Sequence, residues 1–210
     1  MVLNRDILTE VFEKAKIELN EELELDEKIR SLYRDVVRYS KLSILNCHRG
    51  ELEKAYMNLR EAADKLNILR SLVSSRPEAI GVESYKTACQ EYVEAYLYLC
   101  YVDGVKPKLP SELGISPSTY MLGLADLVGE LRRGVLEYLR RGNITVAEDY
   151  LRTMKCIYEE LFLIEGPPAL SGRLRHKIDI ARRIVEATES ELLFESSKKK
   201  LIETLSKLME

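Results

Sequence analysis

Four carboxylates stand where a packed helical chain has least use for them. Glu91 and Glu94 lie in Gln90-Glu91-Tyr92-Val93-Glu94-Ala95, and Asp126 and Glu130 in Ala125-Asp126-Leu127-Val128-Gly129-Glu130-Leu131. The stretch from Ala88 to Val102 is apolar on nearly every side at helical spacing, which predicts a deeply packed helix. Glu91 and Glu94, three residues apart, share one face of it. A buried carboxylate without a partner costs several kcal/mol. A cation, a basic side chain, a shifted pKa or a water-filled cavity must therefore compensate. Clustered carboxylates with no matching histidine point to a hard, oxygen-loving ion such as Mg²⁺ or Mn²⁺. The other reading of this face, which Tyr98 shares, is a solvent channel or pairing with arginines of a neighbouring helix.

Asp126 and Glu130 are four apart, and the apolar residues Leu124, Val128, Leu131 and Val135 project away from them. That projection alone favours an ordinary solvated face. Gly123 and Gly134 tilt the balance, because glycine inside a helix costs about 1 kcal/mol relative to alanine and so implies a close approach of something bulky.

Basic residues form a second pattern. Arg30, Arg34, Arg38 and Lys41 recur at helical spacing on one side, with His48 beyond. Between Lys28 and Arg49 there are six basic residues and one acid, a net +5, which leaves about −8 for the rest of a chain of net charge −3. A polyanion such as a phosphodiester backbone would relieve the repulsion, although a charge run is more often simply solvated. Arg132, Arg133 and Lys86 are further phosphate candidates, as is the cluster Arg173, Arg175, His176 and Lys177; apart from Lys86, these could equally serve helix ends or subunit contacts.

These groups need helices to carry them. With 46% hydrophobic and 32% charged residues, but only 10 Gly, 6 Pro, 3 Phe and no Trp, the 210-residue chain does not suit a β-sandwich. Periodicity predicts an all-α, single-domain bundle of about seven helices spanning 1–210. A first helix is expected over Asn4–Leu23 with Ile7, Val11, Phe12, Ala15 and Leu19 inward, and a second, capped by Asp26, to about Arg49 with Ile29, Tyr33, Val36, Ser40, Ile44 and Cys47 inward. Further helices are expected over Glu51–Val73, Val82–Val102, from a Ser116 or Ser118 cap to Arg141, from a Thr145 cap to Ile164, and from Ser171 onward, the last with a candidate bend near Glu195–Lys198. Ser74-Ser75-Arg76-Pro77, the prolines at 107 and 110, and Glu165-Gly166-Pro167-Pro168 read as breaks. Cys47, Cys89, Cys100 and Cys156 have no zinc spacing and read as buried reduced thiols. No apolar run approaches the ~20 residues of a membrane span, and the N-terminus lacks a signal-peptide layout. A cytoplasmic location is expected.

Taken together, the motifs resemble the translin and translin-associated factor X family. Tyr33-Arg34-Asp35-Val36-Val37-Arg38-Tyr39-Ser40-Lys41 through His48-Arg49 resembles the family's Ser-Arg-Asp-(Ile/Val)-Thr…Ser-Lys…Leu-His-Arg signature. Gln90–Ala95 resembles the Gln-Glu-Tyr-(Ile/Val)-Glu-Ala motif of the factor X branch. Tyr120 to Leu131 resembles its Tyr-Leu-Leu-Gly-Val-Ala-Asp-Leu-Thr-Gly-Glu-Leu segment, and Leu174-Arg175-His176-Lys177-Ile178-Asp179 also fits. The chain departs at Tyr33, where the signature has Ser, and at Val37 and Val128, where it has Thr.

The resemblance implies a Mg²⁺- or Mn²⁺-dependent endoribonuclease acting on single-stranded RNA, with single-stranded DNA as a further ligand, inside a homo-oligomeric, octameric shell. Glu91, Glu94 and Asp126 would hold the metal, and Glu130 would be a ligand, a water-orienting group or a support behind the ligands. Arg30, Arg34, Arg38, Lys41, Lys86, Arg132 and Arg133 would hold nucleic acid. The alternative is a non-catalytic binder of single-stranded nucleic acid, as in the translin branch, which lacks the paired glutamates. A helical scaffold with structural acids is a third reading.

Overall fold

The computed structural model describes residues 5–75, 81–164 and 168–209. Seven helices carry the described chain: α1 (Arg5–His48), α2 (Leu52–Ser75), α3 (Gly81–Asp103), α4 (Pro110–Leu113), α5 (Pro117–Arg140), α6 (Ile144–Phe162) and α7 (Pro168–Met209). Among the described residues there is no strand, and no helix is long and apolar enough to cross a membrane.

The boundaries follow local chemistry. Gly50 adopts φ +74° and turns the chain between α1 and α2. Ser116 caps α5 by accepting from the Thr119 amide, with Pro117 as the first helical residue. Asn143, following a left-handed Gly142, caps α6, in place of the expected Thr145. The loop expected around Pro107 and Pro110 runs into the short α4, which starts at Pro110 and where Glu112 accepts from the Leu109 amide.

One expectation fails at the N-terminus. The two helices expected over 4–49 are a single helix of 44 residues. No glycine or proline lies between Arg5 and His48, so Asp26 meets a continuous ladder rather than a helix start. The expected inward stripe Ile7, Val11, Phe12, Ala15 and Leu19 is exposed, and the buried residues of α1 begin at Ile29. From there Ile29, Val36, Ser40, Ile44 and Cys47 are buried as anticipated. The last helix likewise runs straight through Glu195–Lys198, and its last buried residue is Leu192. The expected stop at Arg76-Pro77, and Glu165 to Pro167, lie outside the described residues. Three of the four thiols are buried, whereas Cys156 is exposed.

Helix α3 sits at the centre, packed on α1, α2 and α5, and α5 in turn packs on α6 and α7. Val93, Ala95, Leu97, Leu99 and Val128, Leu131, Val135 are buried across this seam. Gly123 is what lets α5 approach α3: a Cβ there would lie 2.6 Å from Val93 and 3.1 Å from the Gln90 carbonyl oxygen. Gly134 plays the same part against Tyr150, whose ring is wedged edge-on against Tyr101 and tilted against Tyr138. An added methyl at 134 would overlap that ring, and the ring cannot swing away. Gly134→Ala is therefore expected to destabilise the protein by about 1–3 kcal/mol, despite the ~1 kcal/mol gain in helix propensity. Denaturant unfolding measures this, and an alanine variant as stable as the parent would contradict the tight packing.

Candidate functional site

Four helices converge on one cleft of about 420 Å³. Helix α3 contributes Gln90, Glu91 and Glu94, α5 contributes Asp126, Gly129 and Glu130, α1 contributes Lys41 and Ile44, and α7 contributes Lys177, Ile180 and Ile184. The two acid pairs, remote in sequence, thus face each other across the α3–α5 seam. The solvated-face reading of Asp126 and Glu130 does not describe this arrangement, because that face of α5 looks into the cleft beneath α7.

Three of the four carboxylates have partners within the chain. Asp126 accepts a hydrogen bond from the Gln90 amide at 2.5 Å and forms an ion pair with Lys177. Glu130 Oε2 lies 2.7 Å from His48 Nε2, and His48 Nδ1 lies 3.0 Å from the Tyr98 hydroxyl. An ionised carboxylate can only accept, so Nε2 is the donating nitrogen toward Glu130, while burial keeps the Tyr98 phenol beside Nδ1 protonated. Glu91 has only a long contact to Lys41, at 3.8 Å. Glu94 has no hydrogen bond or ion pair among the described residues.

The electrostatic result follows. Burial, then the charges of Asp126, Glu91 and Glu130, push the Glu94 carboxyl up from its ordinary 4.5 to about 8, with Lys177 opposing. Burial also raises Glu91, against the pull of Lys41. The cleft therefore holds more negative charge than its lysines neutralise. As the side chains stand, no three acidic, His or Cys groups among the described residues converge tightly enough to chelate an ion. The reason is visible: Lys177 sits on Asp126 and His48 draws on Glu130. The donor set itself is all oxygen and fits a hard divalent cation in chemistry and in sign.

The basic candidates separate. Arg30, Arg34, Arg38 and Lys41 are exposed along α1, and the stripe runs to the cleft at Lys41. Arg38 pairs with Asp35 at 3.1 Å and lies over the Tyr39 ring. Arg133 is exposed and 3.9 Å from Glu130. Lys86 is exposed and pairs with Glu83 at 3.4 Å. Arg132 is turned into the protein, donating to Thr188 and Glu191 of α7 at 2.7 Å each. Sequence reasoning missed Gln90 as a site residue, placed Lys177 only in a basic cluster of lesser phosphate candidates, and put His48 only beyond the end of the basic stripe. Their remaining sequence signal was membership in the Gln90–Ala95, His48-Arg49 and Leu174–Asp179 motifs.

The translin family model matches residues 24–193. The chain belongs to the translin family. An uncharacterized protein of Methanocaldococcus jannaschii is 34% identical over 184 residues, covering 87% of this chain and 81% of its own. Among solved structures, AfC3PO superimposes with a TM-score of 0.77 at 30% identity, covering 89% of this chain and 97% of that one. AfC3PO in complex with duplex RNA gives 0.75 at the same identity and coverage, and apo-NeC3PO gives 0.71 at 25% identity, covering 93% and 98%. The match starts at residue 24, so the exposed first half of α1 lies largely outside the translin segment.

Glu94 is expected to make the stability of this translin-family protein depend on pH. A carboxyl raised to about 8 keeps its proton in the folded state where the unfolded chain, near 4.5, has lost it. Stability from this group is therefore present at low pH and falls as pH rises from about 4.5 through about 8. In metal-free buffer, Glu94→Gln is expected to exceed the parent in stability by roughly 2–4 kcal/mol at pH 9 and to converge with it near pH 4.5. Urea titrations at the two pH values test this, and a parent–variant difference independent of pH would remove Glu94 from the crowded group.

Proposed function

We propose that this translin-family protein is a Mg²⁺- or Mn²⁺-dependent endoribonuclease of the factor X type, acting on single-stranded RNA within a homo-oligomeric, octameric shell. The observation that carries the proposal is the cleft in which Glu91, Glu94, Asp126 and Glu130 meet with Glu94 unpartnered. A structural cluster would be expected to pair its most buried acid, whereas a site built to receive a cation leaves it bare. The complex of AfC3PO with duplex RNA supports RNA as the ligand class.

Glu91, Glu94 and Asp126 would hold the ion, which when bound lowers the pKa of water and offsets charge on a phosphodiester. Glu130 has a different task. His48 engages its Oε2, which leaves Oε1 free to orient a water and accept its proton. Arg34, Arg38 and Lys41 would grip phosphates along α1 without reading bases, which gives affinity without sequence preference. Arg132 is left out of this surface because Thr188 and Glu191 already take its guanidinium. The exposed apolar flanks of α1 and α7, including Phe12, Phe194 and Leu208, supply contact area for the shell. The second reading, a nucleic-acid binder without cutting activity, draws on the same basic stripe.

Purified protein incubated with single-stranded and duplex RNA, in Mn²⁺ or EDTA, tests the proposal. Cleavage is expected with the metal and none with EDTA. Glu91→Gln, Glu94→Gln and Asp126→Asn should each abolish it while RNA binding persists, with Glu130→Gln less severe. Binding without metal-dependent cleavage would favour the second reading. Parental rates in the glutamine variants would remove those residues from catalysis.

The binding surface has its own check. Neutralising Arg34, Arg38 and Lys41 together should weaken binding of all RNA sequences alike. Each lost phosphate contact should flatten the slope of log K against log salt by roughly 0.7 for a single strand. An unchanged slope with the oligomer intact would mean this face is merely solvated.

A further inference from the structure

Both carboxylate oxygens of Asp126 have partners within the chain. One carboxylate oxygen takes the Gln90 amide, and the other takes the Lys177 ammonium. A cation taken up by this aspartate would meet a neutral donor on one oxygen and a like charge on the other, and it is the like charge that opposes it. Gln90 is a poor candidate to leave, since it is 7% exposed, in the turn of α3 that packs against Gly123. Lys177 reaches in from α7 on a flexible four-carbon stem and shares the cleft wall with Ile180 and Ile184, which recur with it at i+3 and i+7. Lys41 does not stand in the same relation. Its side chain is 66% exposed and its contact with Glu91 is long, whereas Lys177 and Asp126 are each 24% exposed and in close contact.

We propose that Lys177 is a resident counter-cation of the cleft, which yields Asp126 to an incoming divalent ion and is thereby released toward the phosphodiester. The inference rests on the metal-dependent reading above. In the metal-free protein, Lys177 offsets part of the charge that four carboxylates bring together. A divalent ion does the same more strongly, and the two cations repel each other across one carboxylate. The released ammonium remains anchored on α7 at the cleft wall, with a bound phosphate as its nearest excess of negative charge. Exchange of one cation for another leaves Asp126 with a positive neighbour in both states.

The two halves of this inference predict effects of opposite sign. Titration of Mn²⁺, followed by the paramagnetic resonance signal of the free ion, should show Lys177→Met binding about tenfold more tightly than the parent. At saturating Mn²⁺, the same variant should cleave RNA about a hundredfold more slowly, having lost a positive contact to the phosphate. A lysine with only a structural role would not combine tighter metal binding with slower cleavage. If the methionine variant loses helical content, Lys177→Gln repeats both measurements. Unchanged or weaker Mn²⁺ binding overturns the competition, and tighter binding with an unchanged rate overturns the release toward phosphate. If neither protein binds Mn²⁺ in a manner lost with Asp126→Asn, the metal site itself falls, and this inference with it.

Discussion

Too little positive charge for four carboxylates is the constraint around which this molecule is arranged. The acids cannot be relieved by turning outward. Glu91 and Glu94 flank Val93 on α3, and Val93, Ala95 and Leu97 are buried on the helix that α1, α2 and α5 all grip. Moving the glutamates to solvent would mean withdrawing the central helix. Asp126 and Glu130 are equally committed, because Val128 and Leu131 beside them are buried in the same seam. The fold therefore answers the charge by bringing partners to it. His48 and Lys41 come from the buried half of α1, Gln90 from α3 itself and Lys177 from α7. Each takes one acid, and the deepest, Glu94, is left with a raised pKa instead. Such uncompensated charge, held in place by good packing elsewhere, is what a functional site tends to cost a fold.

Different parts of this arrangement were legible to different degrees. Glu91 and Glu94 stood out because the apolar context on every side makes any acid there anomalous. Asp126 and Glu130 did not, since a helical projection shows which residues share a face but not whether that face meets water or another helix. The glycines carried the missing information. Gly123, dear in a helix interior, marked the close approach of α3 that turns the polar side of α5 into a cleft wall. The pairings of Lys177 with Asp126 and of His48 with Glu130 were invisible to spacing arguments, because the partners lie 51 and 82 residues apart and no periodicity links them.

The misreading of the N-terminal helix has a different origin. Hydrophobic periodicity reports that a face wants burial, not that the same chain buries it. Ile7, Val11 and Phe12 have the spacing of a core stripe and are exposed, Phe12 at 71%. Asp26 has the chemistry of a cap, but a cap acts only where the ladder begins, and nothing in the preceding residues interrupts it. The helix therefore continues for 44 residues, about 66 Å at 1.5 Å per residue.

That length ties assembly to chemistry. An isolated helical overhang gains little from propensity alone and is marginal in water without packing on its apolar face. Exposed stripes on α1 and on the end of α7 accordingly call for covering surface, which the proposed shell supplies from other copies. The basic stripe lies between this overhang and the cleft, on the same rigid rod, and Lys41 ends it at Glu91. Whatever seats the overhang also sets the direction in which Arg30, Arg34 and Arg38 point, and hence, under the proposed function, the path along which a phosphate backbone would meet the carboxylates. A break at Asp26 would have separated these duties. With one uninterrupted helix, the contact that would build the proposed assembly and the charge that would guide a polyanion to the cleft share a single axis. Under the proposed function, the orientation of the nucleic acid would then be a mechanical consequence of how the ends of α1 and α7 are covered.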